Sequence, residues 1–335
     1  MVRILITARF DEQSVARLRQ RHEVAFESWL DSGAFLAGDE LVQKLNSGRY
    51  EIYVGEGAQV PAPVIQRLRA TRLICVARAT PSNVDITAAT QARIIVTNTP
   101  GRNAVAVAEY TIGLIIDLIR GITLSSRLVR DGPRDSWPFR HLEGIELSGR
   151  TLGLVGVGHV GREVAKRLHG FGMRILGYDP HVDDGLAKAA GVELVSLDQL
   201  LRESDIVSIH AAVTEATHGL IGAREIALMK PTAYFVNTAR AVITDEQALY
   251  LALRDKRIAG AALDVFLDEP LSGENPLATL DNVLATPHLA GATKEVIVNH
   301  SRMIEEDIKA YVSGRCPPHA VNPQVWPVER RPADG

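Results

Sequence analysis

Cysteine is nearly missing from this sequence, with two among 335 residues. Cys75 and Cys316 form no C-x-x-C and no metal-ligand spacing, so neither a disulfide framework nor a cysteine-built metal site is expected; they read as reduced thiols in a cytoplasm. Long apolar runs are also missing. No stretch approaches the roughly 18 uncharged apolar residues of a membrane span. The apolar run in MVRILITARFDE is too short for a signal-peptide core, so a soluble, unexported protein is expected, with no membrane partner. An excess of charge of one sign is missing too. The net charge is −3, which gives no footing to a nucleic-acid partner or a basic membrane face. What remains is an ordinary globular composition, 46% apolar and 23% charged, in a chain too long for one compact core.

Residues 1–100 alternate short apolar runs with amphipathic segments: VRILIT, DEQSVARLRQRH, EVAFE, GDELVQKLNSG, YEIYVG, APVIQRLRAT, RLICVA, RIIVTN. Continuous apolar runs between helices indicate parallel strands buried on both faces. A long helical pattern, NAVAVAEYTIGLIIDLIRGITLSSRLVR, spans 103–130 and leads into the polar loop DGPRDSWPFRHLEG. The βα rhythm then restarts at RTLGLVGVG and runs to NVLATPH, followed by a helix from about 292 to 313. The proline-rich stretch from Pro317 reads as irregular or disordered. The pattern predicts an α/β fold of two doubly wound parallel-sheet domains.

In the second unit the strand LGLV runs into Gly156-Val157-Gly158-His159-Val160-Gly161 and then a helix. Glycine-rich turns are common, but this one follows a strand and opens a helix. The first glycine permits the tight turn, the second admits a pyrophosphate, and the third lets helix pack on strand. The next strand ends in Asp179, 23 residues after Gly156. An acid there accepts hydrogen bonds from ribose hydroxyls and repels a 2′-phosphate, which favours NAD over NADP. Three later strand ends carry charge: Arg240 after FVNTA, Glu269 in DVFLDEP and His288 in TPH. Each alone is ordinarily a surface or structural residue. Together, at the carboxyl ends of strands downstream of a dinucleotide motif, they are candidates for one catalytic crevice.

These stretches resemble the D-isomer-specific 2-hydroxyacid dehydrogenase family, which includes phosphoglycerate dehydrogenases, glyoxylate/hydroxypyruvate reductases and formate dehydrogenase. The resemblance lies in NTPGRNAVAVAEYTIGL (98–114), GIELSGRTLGLVGVGHVGREVAKRL (144–168), NTARAVITDEQAL (237–249), AALDVFLDEPLSGENPL (261–277) and TPHLAGAT (286–293), and it covers about residues 1–315. It implies a Rossmann NAD-binding domain (103–290) inserted into a flavodoxin-like substrate-binding domain (1–102 with 291–318), an irregular tail (319–335), and a cleft that closes over the substrate. It implies that Arg240 holds the substrate carboxylate and 2-oxo oxygen. His288 donates the proton as hydride leaves NADH, and Glu269 bonds the far ring nitrogen and favours the imidazolium. It places Gly156, Gly158, His159, Val160, Gly161, Asp179, His210, Thr217, Thr238, Ala239, Arg240, Asp264 and His288 along the cofactor, with Asp264 beside the nicotinamide carboxamide. Glu56, Gly57, Arg78, Ala79, Asn103, Arg240 and His288 fall along the substrate, and Val107 lies near the hinge. It further implies a homodimer built through residues 103–146, an arm that Trp137 fits, and no metal.

The first domain departs from the family pattern. Many relatives carry Arg-Ser-x-Thr after the third strand, where this chain has Gly55-Glu56-Gly57-Ala58. That loss argues against a phosphorylated substrate. The glycine-rich loop after the fourth strand is here Ala77-Arg78-Ala79-Thr80-Pro81-Ser82-Asn83, without glycine. Either Arg78 replaces the missing backbone donors, or the pocket serves a different substrate, or Arg78 merely faces solvent. Ala241 and Ala212 stand where the family has glycine and proline. The reading is an NAD-dependent oxidoreductase acting on an unphosphorylated 2-oxo acid. Its rivals are an NAD-sensing corepressor-like binding protein, a phosphoglycerate dehydrogenase and, less well supported, a formate dehydrogenase, against which the Glu269–His288 pair argues.

Overall fold

A computed structural model describes residues 1–131, 143–270 and 275–327. In chain order it contains β1 (Arg3–Ile6), α1 (Glu12–Arg19), β2 (Glu23–Phe26), α2 (Trp29–Ser32), α3 (Gly38–Ser47), β3 (Ile52–Gly55), α4 (Ala62–Ile65), β4 (Leu73–Val76), α5 (Ile86–Gln91) and β5 (Ile95–Thr97). Then follow α6 (Ala104–Arg120), α7 (Ile122–Asp131), β6 (Thr151–Val155), α8 (His159–Leu168), β7 (Arg174–Tyr178), α9 (Asp184–Ala189), β8 (Glu193–Leu194), α10 (Leu197–Glu203) and β9 (Ile206–Ile209). The last elements are α11 (Ala223–Leu228), β10 (Tyr234–Asn237), α12 (Glu246–Arg254), β11 (Gly260–Leu263), β12 (Val283–Ala285) and α13 (Lys294–Val312). They form two compact units, one of residues 1–103 with the chain from Thr293 onward, the other Ala104–Ala292. Among the described residues no helix is long and apolar enough to cross a membrane.

The first unit holds a parallel sheet in the order β2-β1-β3-β4-β5, the flavodoxin-like order. Its central strands are buried along their whole length, as uninterrupted apolar runs require when helices cover both faces. The order reverses between β1 and β3, so the loops that leave these strands diverge and open a crevice at their carboxyl ends. α13 closes this unit's core. Ile304, Ile308 and Tyr311 pack with Ile4 and Ile6 of β1, at the spacing of one helical face.

Residues 318–327 are more ordered than their composition suggests. The Asn322 side chain is fully buried; it accepts from Val96 N–H at 2.8 Å and donates to the Ile94 carbonyl at 2.9 Å. Ala320 bridges to Thr97 and Trp326 packs edge-on against Tyr311. One buried amide that satisfies two strand groups outweighs poor local propensity.

The second unit holds a seven-stranded parallel sheet in the order β12-β11-β10-β9-β6-β7-β8. Its switch point lies between β6 and β9, the Rossmann arrangement. The helical pattern over 103–130 is two helices rather than one. Gly121 takes φ +58, and the Asp117 carboxylate then accepts from Thr123 N–H at 2.7 Å to cap α7. Trp137 and much of the expected arm lie outside the described residues.

Candidate active site

The glycine turn follows β6 at the switch point of the second sheet. Gly156 has φ +100, and a Cβ there would lie 2.4 Å from the Ala211 nitrogen. Gly161 packs so that a Cβ would meet the Gly156 carbonyl at 2.3 Å, whereas at Gly158 the space is open. Two glycines are therefore forced by packing, and the third leaves open space at the start of α8. No side chain caps α8 at Gly158, so first-turn N–H groups are left for an anionic ligand. His159 and Val160 begin that helix, and Val160 packs into the unit's core. Asp179, just past β7, accepts from Val157 N–H and His181 N–H at 2.9 Å each. It thereby ties the glycine turn to the neighbouring strand end. The cradle fits a dinucleotide pyrophosphate.

Gly156→Ala adds strain of about 1–3 kcal/mol at a non-glycine left-handed position. It should raise the NADH Kd about tenfold or more in a fluorescence titration. Undiminished affinity would show that this turn is not the cofactor cradle.

His210 follows β9 against the same turn, its Nε2 2.9 Å from Ser208 Oγ and its Nδ1 buried without a partner. Burial pushes its pKa down to about 4, so the ring is neutral. Thr238 is buried and shares a hydrogen bond with Thr111 on α6 at 2.8 Å. Asn237, the last residue of β10, accepts from Ala239 N–H and donates to the Arg240 carbonyl, which fixes the turn that presents Arg240. Thr217 ties up its own turn through Thr214 and the Ala212 carbonyl.

The adjacent strand ends β10, β11 and β12 carry the catalytic candidates. His288 Nδ1 lies 2.8 Å from Glu269 Oε2, while Glu269 Oε1 accepts from Phe266 N–H at 3.1 Å. Partial burial pushes the Glu269 carboxyl up. The hydrogen bonds from His288 and Phe266 and the charges of His288 and Arg240 outweigh this and hold it below its usual range. The carboxylate is therefore ionised at neutral pH. Because Glu269 takes Nδ1, the ring's Nε2 is the free proton-carrying end, with no protein partner among the described residues. Arg240 is exposed and its guanidinium donates only to the Ala239 carbonyl among the described residues.

Asp264 is the residue just past β11. It is fully buried, and its carboxylate accepts from Thr286 Oγ1 at 2.6 Å, Leu289 N–H at 2.9 Å and Ala290 N–H at 2.8 Å. These three donors bracket His288, which holds φ +55. Asp264 is thus the anchor of the turn that aims the histidine.

In the first unit, the loops at the sheet's switch point form an open pocket of about 380 Å³ lined by Arg9, Trp29, Phe35, Glu56, Gly57, Arg78 and Arg102. Glu56 is buried, pairs with the Arg9 guanidinium, and accepts from Trp29 Nε1 at 2.9 Å. Burial raises its carboxyl; the bonds from Arg9 and Trp29 and the charge of Arg9 outweigh that and keep it ionised. The expected substrate ligand Glu56 is therefore already engaged. Phe35 lies over Gly57, where a Cβ would meet the ring at 2.3 Å. The glycine-free loop after β4 still offers backbone donors, because Ala79 N–H and Thr80 N–H have no acceptor among the described residues. The Ala79 carbonyl is held by Asn98 at 2.6 Å. Asn103, in the turn before α6, makes no side-chain hydrogen bond among the described residues, and Val107 is buried in α6.

Residues 112–290 match the family described as D-isomer specific 2-hydroxyacid dehydrogenase, NAD binding domain. The chain belongs to that family. It is 37% identical over 331 residues to a D-3-phosphoglycerate dehydrogenase of Methanocaldococcus jannaschii, covering 98% of this chain and 61% of that protein. It therefore spans about three fifths of that relative's length. A glyoxylate reductase of Korarchaeum cryptofilum is 42% identical over 244 residues, 72% of this chain and 74% of the relative. Among solved structures, the TT0316 protein of Thermus thermophilus superposes with a TM-score of 0.82 at 33% identity, covering 95% of this chain and 99% of that one. Residues 112–290 of the second unit thus form the NAD-binding domain of this family, and NAD is its cofactor.

One buried group in this family member was not anticipated. His300 on α13 is fully buried; its Nε2 donates to the Arg9 carbonyl at 2.7 Å and its Nδ1 accepts from Arg102 Nη1 at 2.8 Å. A proton on Nδ1 would face the guanidinium. Burial first, and the Arg102 charge after it, push the pKa from 6.5 to about 4. Between those values the unfolded chain holds a proton that the folded chain refuses. Stability is therefore full above about pH 6.5 and falls by roughly 3 kcal/mol toward pH 4. His300→Gln keeps a donor and an acceptor but cannot titrate, so its Tm should fall less than the wild type's between pH 7 and pH 4.5. Parallel Tm curves would remove His300 from the acid response.

Proposed function

We propose that this chain interconverts a 2-oxo acid and a D-2-hydroxy acid with NAD(H), using His288 as the proton donor and acceptor. The observation that carries the reading is the Glu269–His288 pair at 2.8 Å, with the ring's Nε2 left free. An ionised Glu269 accepts Nδ1–H, which fixes the orientation of the ring and turns Nε2 toward the substrate side for proton transfer. Arg240 offers a permanently charged planar fork, suited to a carboxylate together with an adjacent 2-oxo oxygen. Bound NADH supplies a hydride to C2. As the carbonyl π pair moves onto the oxygen, His288 Nε2–H gives its proton to that oxygen, and the ring is left neutral with Nδ1–H still on Glu269. The oxidation runs through the same groups in reverse. Asp179, a carboxylate at the end of β7, disfavours a 2′-phosphate and so supports NAD over NADP.

The preference for an unphosphorylated substrate loses its basis, because Arg9, Arg78 and Arg102 line the cavity beside the loop that lacks the family's arginine. The test is NADH oxidation against a panel of 2-oxo acids: glyoxylate, hydroxypyruvate, phosphohydroxypyruvate, dicarboxylic and bulky acids. Turnover with at least one is expected. NADH binding without turnover of any would refute the reading and favour a cofactor-sensing protein.

A further inference from the structure

The cavity of the first unit has an unusual charge balance. Three arginines and one carboxylate line it. Glu56 hydrogen-bonds Arg9 and Trp29, and its single negative charge is shared between Arg9 and, at longer range, Arg102. Arg102 has no carboxylate partner among the described residues; its Nη1 donates to a neutral imidazole, His300, and its Nε is buried without an acceptor. Burial lowers the Arg102 pKa; the Glu56 charge opposes this, and the charges of Arg9 and Arg78 add to it. The half-buried Arg78 guanidinium makes no hydrogen bond or ion pair among the described residues. Two positive charges are therefore uncompensated inside one cavity. Half-buried positive charges without counter-charges are solvated less well than in bulk water, which favours an anion between them.

The place fits a ligand. Arg9, Glu56 and Arg78 sit just past β1, β3 and β4, at the topological switch point where open α/β sheets bind small molecules. One wall is apolar, with the Trp29 and Phe35 rings 4.9 Å apart between centroids. At about 380 Å³, the space would hold on the order of a dozen waters, far more than the volume of a two-carbon acid.

We propose that this cavity selects a ligand with two negative charges, held by Arg78 and Arg102, with its carbon chain along Trp29 and Phe35. Resting on the reaction proposed above, this makes the substrate a 2-oxo acid that carries a second acidic group. Arg9 stays the partner of Glu56 and sets the cavity's edge.

The test is equilibrium binding by calorimetry, without turnover, in the presence of NAD. The probes are glutarate and succinate, the monocarboxylates butyrate and propionate, and phosphoglycolate. Dianions should bind about tenfold or more tightly than monocarboxylates of similar size. Arg78→Gln, at a half-buried residue with no other partner, should remove most of that difference, and Arg102→Gln should do the same while keeping a donor for His300. Tight binding of phosphoglycolate with weak dicarboxylates makes the second group a phosphate, and the converse makes it a carboxylate. Equal binding of mono- and dianions, or a difference untouched by both substitutions, overturns the proposal. Reduction of 2-oxo acids with no preference for a second charge leaves the enzyme reading standing and removes the subsite. Dianion binding without any turnover does the reverse.

Discussion

His288→Asn should lower kcat for 2-oxo acid reduction by about 10²–10⁴-fold, the span that a positioned general acid contributes, and leave the NADH Kd unchanged. Asparagine can hydrogen-bond Glu269 but carries no proton to give near neutral pH. The cofactor cradle is built from the ends of β6, β7 and β9, so the substitution does not touch it. Glu269→Gln is the companion. It keeps a group within reach of Nδ1 and loses the charge, so kcat should fall, though less far. Glu269 is held below the usual carboxylate range, so its help is present above that range and is lost as pH falls through the lowered value. The acid limb of the kcat profile that Glu269 sets should therefore vanish in Glu269→Gln. Unchanged kcat in His288→Asn would remove His288 from the mechanism.

Much of this site can be read in the chain because its chemistry is local. Gly156, Gly158 and Gly161 lie within six residues and follow one strand. Arg240, Glu269 and His288 each stand just past a strand that periodicity alone locates. The first-unit cavity is different. Arg9 follows the apolar run RILI, but its importance comes from β1 lying beside β3, and strand order is not carried by either strand's own pattern. Trp29 and Phe35 come from a short helix and a loop with no periodic signal. Arg102 lies in an ordinary turn, and its placement depends on His300, 198 positions away. Glu56 looked like a replacement for a substrate ligand because a sequence shows a side chain's charge and not the Arg9 that neutralises it. Gly121 was legible in principle, as a glycine within a helical run, yet the surrounding apolar pattern outweighed it.

Asp264 is where the two kinds of information separate most sharply, and it yields the other large expected effect. A carboxylate beside the nicotinamide would, when removed, weaken NADH binding. The carboxylate also accepts three hydrogen bonds from the turn that carries His288, and its loss there is felt first by the histidine. Asp264→Ala strands two backbone N–H groups and a hydroxyl in a buried place, at about 1–3 kcal/mol for each unsatisfied donor. The threonine hydroxyl can rotate to another acceptor, so the net loss is set by the two N–H groups, roughly 2–6 kcal/mol of stability. His288 holds a left-handed backbone that costs an L-residue about 1–2 kcal/mol, and without the anchor the turn has reason to relax. A displacement of the ring by about 1 Å is enough to cost 10²-fold in rate. Asp264→Asn should be nearly as harmful, because its amide turns one acceptor into a donor facing another donor. Both variants should show a lowered Tm and a kcat reduced about 100-fold with the NADH Kd unchanged. If NADH affinity falls while kcat at saturating NADH holds, Asp264 contacts the cofactor after all and the turn does not need its anchor.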